Sequence, residues 1–240
     1  MKTVAIIGLG TMGSAIKSRL DDEYDLLLIA SADDDLSKLS TADVIIIAVK
    51  PQSFPELAAS LQPFVNDQTI VSIMAGVTIS TISRLLSTKK IIRTMPNIGL
   101  VSTQSVTGLF SEASENKSEV QDMFDLLGNT IWLENEDQFD SFTALAGSGP
   151  AYFFKLADVL KQYAIDSGYD EDTSIQIANG ALKSAASVAT NDPDSLIKQI
   201  ASKGGTTQAA LDSLDDSNFD HIVTTAIQAA NNRSKELSNE

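Results

Sequence analysis

Short aliphatic runs alternate with amphipathic stretches through the first half of the chain. Val4 to Ile7 reads as a short buried strand, followed by a glycine turn and a helix through about Leu20. Asp25 to Ala30 and Val44 to Val49 are continuous apolar runs, which predicts parallel strands covered on both faces. Thr69 to Ile73 and Lys90 to Thr94 predict two more strands, with amphipathic helices over Pro55 to Leu61 and Thr78 to Leu86. Farther on, Ser105 to Phe110 and Thr130 to Leu133 read as added edge strands flanking a helix from about Lys117 to Leu127. Strand–helix alternation of this kind predicts an α/β fold with a doubly wound sheet.

The pattern changes near residue 136. From Gln138 onward strand signals fade, and Ala, Leu, Ile and Ser recur at helical spacing between breakers at Gly147-Ser148-Gly149-Pro150, Gly168, Asp192-Pro193 and Gly204-Gly205. Two domains are expected: a sheet domain over 1–136 and an all-helical domain over 137–240. Small residues such as Asn179-Gly180-Ala181 and Ser184-Ala185-Ala186 allow close helix approach, and a homodimer, or an assembly of dimers, is expected.

Composition narrows the chemistry. The chain has 240 residues, 43% of them apolar but only 6% aromatic, so its core rests on Ala, Val, Ile and Leu. A net charge of −15 argues against nucleic acid or an anionic membrane as the main partner. There is no cysteine and a single histidine, His221, which excludes disulfides, thiolate catalysis and Cys- or multi-His metal sites. No apolar run reaches the roughly 18–20 residues needed to cross a bilayer. The first apolar run breaks at Gly8, so it is read as a strand and not a signal peptide, and a cytoplasmic location is expected.

Gly8-Leu9-Gly10-Thr11-Met12-Gly13 follows the first strand and opens the first helix. In that setting Gly8 suits a tight turn, Gly10 admits a pyrophosphate close to the backbone, and Gly13 lets helix and sheet pack closely. The helix N-terminus then receives the diphosphate, which predicts a Rossmann-type site for NADP(H) or NAD(H) that includes Thr11 and Met12. After the second strand comes Ser31-Ala32-Asp33-Asp34-Asp35, with no basic residue before Lys38. Ser31 can hydrogen-bond a ribose hydroxyl or a phosphate. The aspartates would repel a 2′-phosphate, which favours NADH, or would serve only to cap the next helix.

Four further stretches carry a family resemblance. They are Ala48-Val49-Lys50-Pro51; Arg93-Thr94-Met95-Pro96-Asn97; Phe142 to Phe153 with its Gly147-Ser148-Gly149-Pro150-Ala151-Tyr152; and Ile200 to Leu211 with its Gly204-Gly205-Thr206-Thr207. In this order the chain resembles the pyrroline-5-carboxylate reductases over nearly its whole length. The resemblance implies a Rossmann domain followed by a helical dimerisation domain, and reduction of a cyclic imine carboxylate by NAD(P)H. It places Ala48, Lys50, Pro51 and Asn97 along the cofactor. It places Ser202, Gly204, Gly205, Thr206 and Thr207 on the substrate, with the Thr207 hydroxyl nearest the ring nitrogen.

Three departures stand out against the family pattern. Lys203 replaces a proline before the paired glycines, and Ile98-Gly99 replaces Thr-Pro after the Met-Pro-Asn element. Only Ala32 to Ala42 separates the second strand from the next, where a helix plus a strand would take about 20 or more residues. The third strand of the usual order is therefore expected to be missing or vestigial. Two rival readings use the same scaffold. A dehydrogenase of another small imino or hydroxy acid would call on a lysine such as Lys155; a reductase-like binding protein would hold dinucleotide without turnover.

Overall fold

The computed structural model describes residues 1–31, 34–113, 115–189 and 192–239, which form two compact units. The first comprises residues 1–148 with the C-terminal residues from Ala230; the second comprises Gly149–Ala229.

The first unit is built on one seven-stranded sheet. Its strands are β1 (Thr3–Ile7), β2 (Asp25–Ile29), β3 (Val44–Ile47), β4 (Thr69–Ser72), β5 (Ile91–Met95), β6 (Ser105–Phe110) and β7 (Gly128–Trp132). They lie in the order β2-β1-β3-β4-β5-β6-β7, and only β5 with β6 is antiparallel. Successive side chains of a strand point to opposite faces, and the core divides accordingly. Ala5, Ile7, Ile45, Ile47 and Ile70 meet α2 (Phe54–Leu61) and α3 (Ile79–Leu86). Val4, Ile6, Val44, Ile46 and Val71 meet α1 (Thr11–Leu20) and α4 (Lys117–Asp125). The result is a sheet with helices on both faces, as the alternation predicted.

Two expectations about strands need correction. Only β7 closes that end of the sheet; β6 is interior, since it pairs with β5 on one side and β7 on the other. The run over Asp25–Ile29 is not covered on both faces, and Leu28 is 37% exposed. The cause is the short connection to β3, which among the described residues holds only a 3-10 helix, Leu36–Thr41. No third strand of the usual order is present there among the described residues, as the spacing predicted, so β2 is the sheet's other edge.

After β7 come α5 (Gln138–Phe142) and a π-helical turn, Thr143–Gly147, both in the first unit. The second unit is helical: α6 (Gly149–Asp166), α7 (Glu171–Val188), α8 (Pro193–Ile200), α9 (Thr206–Asp216) and α10 (Phe219–Asn239) as far as Ala229. Helices α6 and α7 pack along one another across a turn where Gly168 takes φ +95°. Asp170 caps α7 by accepting from the Thr173 N–H, and Asp192 caps α8 through the Ser195 N–H. The end of α10 returns to the first unit, where Ser234 Oγ donates to Asp140 Oδ1 at 2.7 Å.

Candidate active site

Because β1, β3, β4 and β5 run parallel, the segments that follow them leave the sheet at one edge. That edge carries Gly8 after β1, Ala48 after β3 and Asn97 after β5. From β1 the chain first goes to β2 on one side and then to β3 on the other, so the order reverses at β1, the place where open α/β sheets bind ligands. Gly8 takes φ +95°, and a Cβ there would lie 2.8 Å from the Ala48 carbonyl oxygen. Gly13 is tighter still, since its Cβ would stand 1.9 Å from the Gly8 oxygen. These two glycines are required by the turn itself.

Gly10 differs from both. A Cβ there would meet nothing within 4 Å, so the fold does not demand a glycine and the space beside it is open. Gly10 is also the N-cap of α1 and makes no side-chain cap hydrogen bond. The first-turn N–H groups at Thr11 and Met12 are thus left without a side-chain acceptor, at the positive end of a ten-residue helix. This open, uncapped turn fits a dinucleotide pyrophosphate. Met12 offers it only backbone, because its side chain packs against the core. Ser14 Oγ donates to the Leu9 carbonyl at 2.9 Å and fastens the turn from behind.

The neighbouring positions are placed as follows. Ala48 lies against the glycine turn, and the Ala48 N–H donates to the Ile7 carbonyl at 2.8 Å. Lys50 is exposed and is the N-cap of a 3-10 helix that begins at Pro51. Asn97 is committed to the protein: its Nδ2 donates to the Ala146 carbonyl at 2.9 Å, and its Oδ1 accepts from the Gly99 N–H at 2.9 Å. Ile98-Gly99 accordingly form the start of a 3-10 helix, Ile98–Ser102. Ser31 is exposed at the end of β2. Asp34 Oδ2 accepts from the N–H groups of Ala30 and Ser31, at 2.7 and 2.9 Å. Asp35 caps the following 3-10 helix through Ser37. The backbone hydrogen bond from Ser31, then that from Ala30, holds the Asp34 carboxyl below its ordinary range. Hydrogen bonds from the Ser37 side chain and N–H do the same for Asp35. Asp33 lies outside the described residues.

In the second unit, Ser202, Gly204, Gly205, Thr206 and Thr207 form the entrance to α9. Gly204 takes φ +73°, and the Gly205 N–H donates to the Ser202 carbonyl at 2.9 Å. Gly205 is the N-cap, with no side-chain cap hydrogen bond, and α9 itself runs from Thr206. The two threonines therefore occupy the first turn and do not precede the helix, and neither caps it. An uncapped helix start of this kind receives a carboxylate. Lys203 beside it is exposed; so is His221, on α10. Lys155 is also exposed and lies 3.7 Å from Asp158.

One constellation was not foreseen. Arg93, on β5, is buried; its Nη1 donates to Glu136 Oε1 at 2.9 Å, and its guanidinium lies over the Phe139 ring at 4.4 Å. Glu136 Oε1 also accepts from the Ile79 N–H at the start of α3. Partners 43 and 57 residues apart leave no local spacing signal.

Residues 136–237 match the family described as pyrroline-5-carboxylate reductase dimerisation. Residues 19–76 match a second, NADP oxidoreductase coenzyme F420-dependent. Pyrroline-5-carboxylate reductase of Haemophilus influenzae is 33% identical over 87% of this chain and 80% of its own length. The chain belongs to the pyrroline-5-carboxylate reductase family. Pyrroline-5-carboxylate reductase 2 of Bacillus subtilis is 29% identical, covering 99% of this chain and 95% of its own. The solved structure of a Coxiella burnetii pyrroline-5-carboxylate reductase, 28% identical, superposes with a TM-score of 0.88 over 98% of each chain.

Proposed function

We propose that this protein makes L-proline by reducing 1-pyrroline-5-carboxylate with NAD(P)H. The observation that carries the reading is the uncapped Gly204-Gly205-Thr206-Thr207 entrance to α9 in a chain of this family. In this reading residues 1–136 bind the dinucleotide, and residues 137–240 supply the dimer contacts and the groups that hold substrate.

The glycine turn and the start of α1 take the pyrophosphate, with Gly8, Gly10, Thr11, Met12 and Gly13 in the positions described. Ser31, Ala48, Lys50, Pro51 and Asn97 line the rest of the dinucleotide. Asn97 acts through the loop it braces, since both ends of its amide are taken by backbone. Bound nicotinamide supplies the hydride. The N–H groups of Thr206 and Thr207 hold the imine carboxylate, and Ser202, Gly204 and Gly205, whose own N–H is taken by the Ser202 carbonyl, shape the approach. The Thr207 hydroxyl orients the ring nitrogen and relays its proton. A protonated imine is already electrophilic, so positioning and fixed dipoles provide most of the acceleration.

The second unit supports a homodimer. Its only buried residues among those described are Gly149, Ala157, Ala164, Ser174 and Ala178, none with a large apolar side chain. Phe153, Leu156, Leu160 and Tyr163 meanwhile stand exposed on one stripe of α6. Among the described residues no helix is long and apolar enough to cross a membrane, and we assign the protein to the cytoplasm.

The test is imine-dependent oxidation of NADH and of NADPH by the purified protein. Thr207→Ala is expected to lower kcat roughly a hundredfold while leaving dinucleotide binding in place. Unchanged turnover in Thr207→Ala would remove the proton-relay role. Dinucleotide binding with no imine-dependent oxidation would favour another substrate or a non-catalytic protein.

A further inference from the structure

We infer that this chain selects NADH over NADPH, and that Asp34 is the residue that makes the choice. The inference rests on the dinucleotide reading of the first unit. Strand β2 pairs with β1 in the register Ile7↔Ile29, and the Gly8 N–H donates to the Ile29 carbonyl at 2.9 Å. The residues that follow β2 therefore stand beside the turn that takes the pyrophosphate, where the adenosine ribose of a dinucleotide comes to lie.

An NADP site at this position offers the 2′-phosphate free donors and a cation. Here the two N–H groups that directly follow β2 are already taken. Asp34 Oδ2 accepts from the N–H groups of both Ala30 and Ser31, the first two residues after β2. Those hydrogen bonds keep the carboxylate ionised. An incoming phosphate would have to displace it or share the space with a like charge. No Lys or Arg lies between Ser31 and Lys38, and Lys38 is exposed in the 3-10 helix. Asp34 Oδ1, which has no partner among the described residues, can accept from a ribose hydroxyl. Asp35 does different work, since its carboxylate is occupied by Ser37. The two described aspartates of the run thus separate, one onto the backbone that follows β2 and one onto the next helix.

The experiment is titration of the purified full-length protein with NADH and with NADPH, followed by calorimetry and with no imine present. The wild type is expected to bind NADH at least roughly tenfold more tightly. Asp34→Ala, which frees both N–H groups and removes the charge, is expected to gain roughly tenfold for NADPH and to lose affinity for NADH. Asp34→Asn keeps an acceptor for the loop without the charge, so an intermediate ratio is expected even if the alanine variant loosens the segment. Equal wild-type affinities, or a ratio that neither variant moves, would overturn the inference and leave the dinucleotide site standing. Binding of neither nucleotide would overturn both.

Discussion

Strand β3 has four residues and buries all four; helix α6 has eighteen and buries three, Gly149, Ala157 and Ala164. That contrast holds for the two units as wholes. The first gathers Ile, Val, Leu and Phe side chains into two clusters, one on each face of its sheet. The second leaves Phe153, Phe154, Leu156, Val159, Leu160 and Tyr163 on one helix at 40% exposure or more. Burying a side chain of that size contributes about 1.5–3 kcal/mol, and a single copy of the second unit forgoes most of it. The first unit carries its own core. The second is the part whose stability depends on a further surface, and the match to a dimerisation family makes a second copy the occupant.

The largest effect follows from removing that surface. Leu156→Glu with Leu160→Glu places two charges on the stripe and is expected to abolish the dimer, melt the helical unit and end imine reduction. Light scattering and circular dichroism read the first two, and the first unit should still melt as a cooperative unit and bind dinucleotide. In the wild type the melting of the second unit should rise with protein concentration, because assembly stabilises it by mass action. A monomeric double variant with full helical signal would refute the dependence.

A smaller effect sharpens the comparison inside the first unit, between glycines that packing demands and one that it does not. Gly13→Ala drives a Cβ to 1.9 Å from a backbone oxygen, and a cost of at least about 3 kcal/mol is expected in denaturant unfolding. Gly10→Ala meets nothing within 4 Å. It should change stability by no more than about 1 kcal/mol while weakening dinucleotide binding roughly tenfold. Equal losses of stability at the two positions would mean that Gly10 is a structural glycine as well.

What could be read in the sequence was what short spacing encodes. Val44 to Ile47 announces a buried strand because no residue in it tolerates water, and the glycine spacing at 8, 10 and 13 states a backbone requirement that the turn then displays. Features set by distant partners were hidden. The strand over Ser105–Phe110 looked like an edge because nothing within it reveals that Gly128–Trp132 pairs along its other side. The exposure of β2 follows from residues missing after it, not from its own composition. Nor could the Met95-Pro96-Asn97 spacing show that the Asn97 amide reaches the Ala146 carbonyl, 49 residues away. Nothing within Gly204-Gly205-Thr206-Thr207 states that the helix begins at Thr206, which puts the N–H groups of both threonines in its first turn.

The smallest effect is an acid response that the second unit carries in its capping. Asp170 accepts from the Thr173 N–H and the Thr173 hydroxyl, each at 2.8 Å, and these two hydrogen bonds hold its carboxyl below the ordinary aspartate range. A carboxyl whose folded value is depressed adds stability that is complete above its unfolded value and is lost as pH falls through the folded value. The cap should therefore be intact near neutrality and released below about pH 4. Asp170→Ala is expected to melt at a lower temperature than the wild type near neutral pH, and the gap should close as both are acidified at one fixed protein concentration. A gap that stayed constant would mean that the aspartate acts through packing and not through its charge.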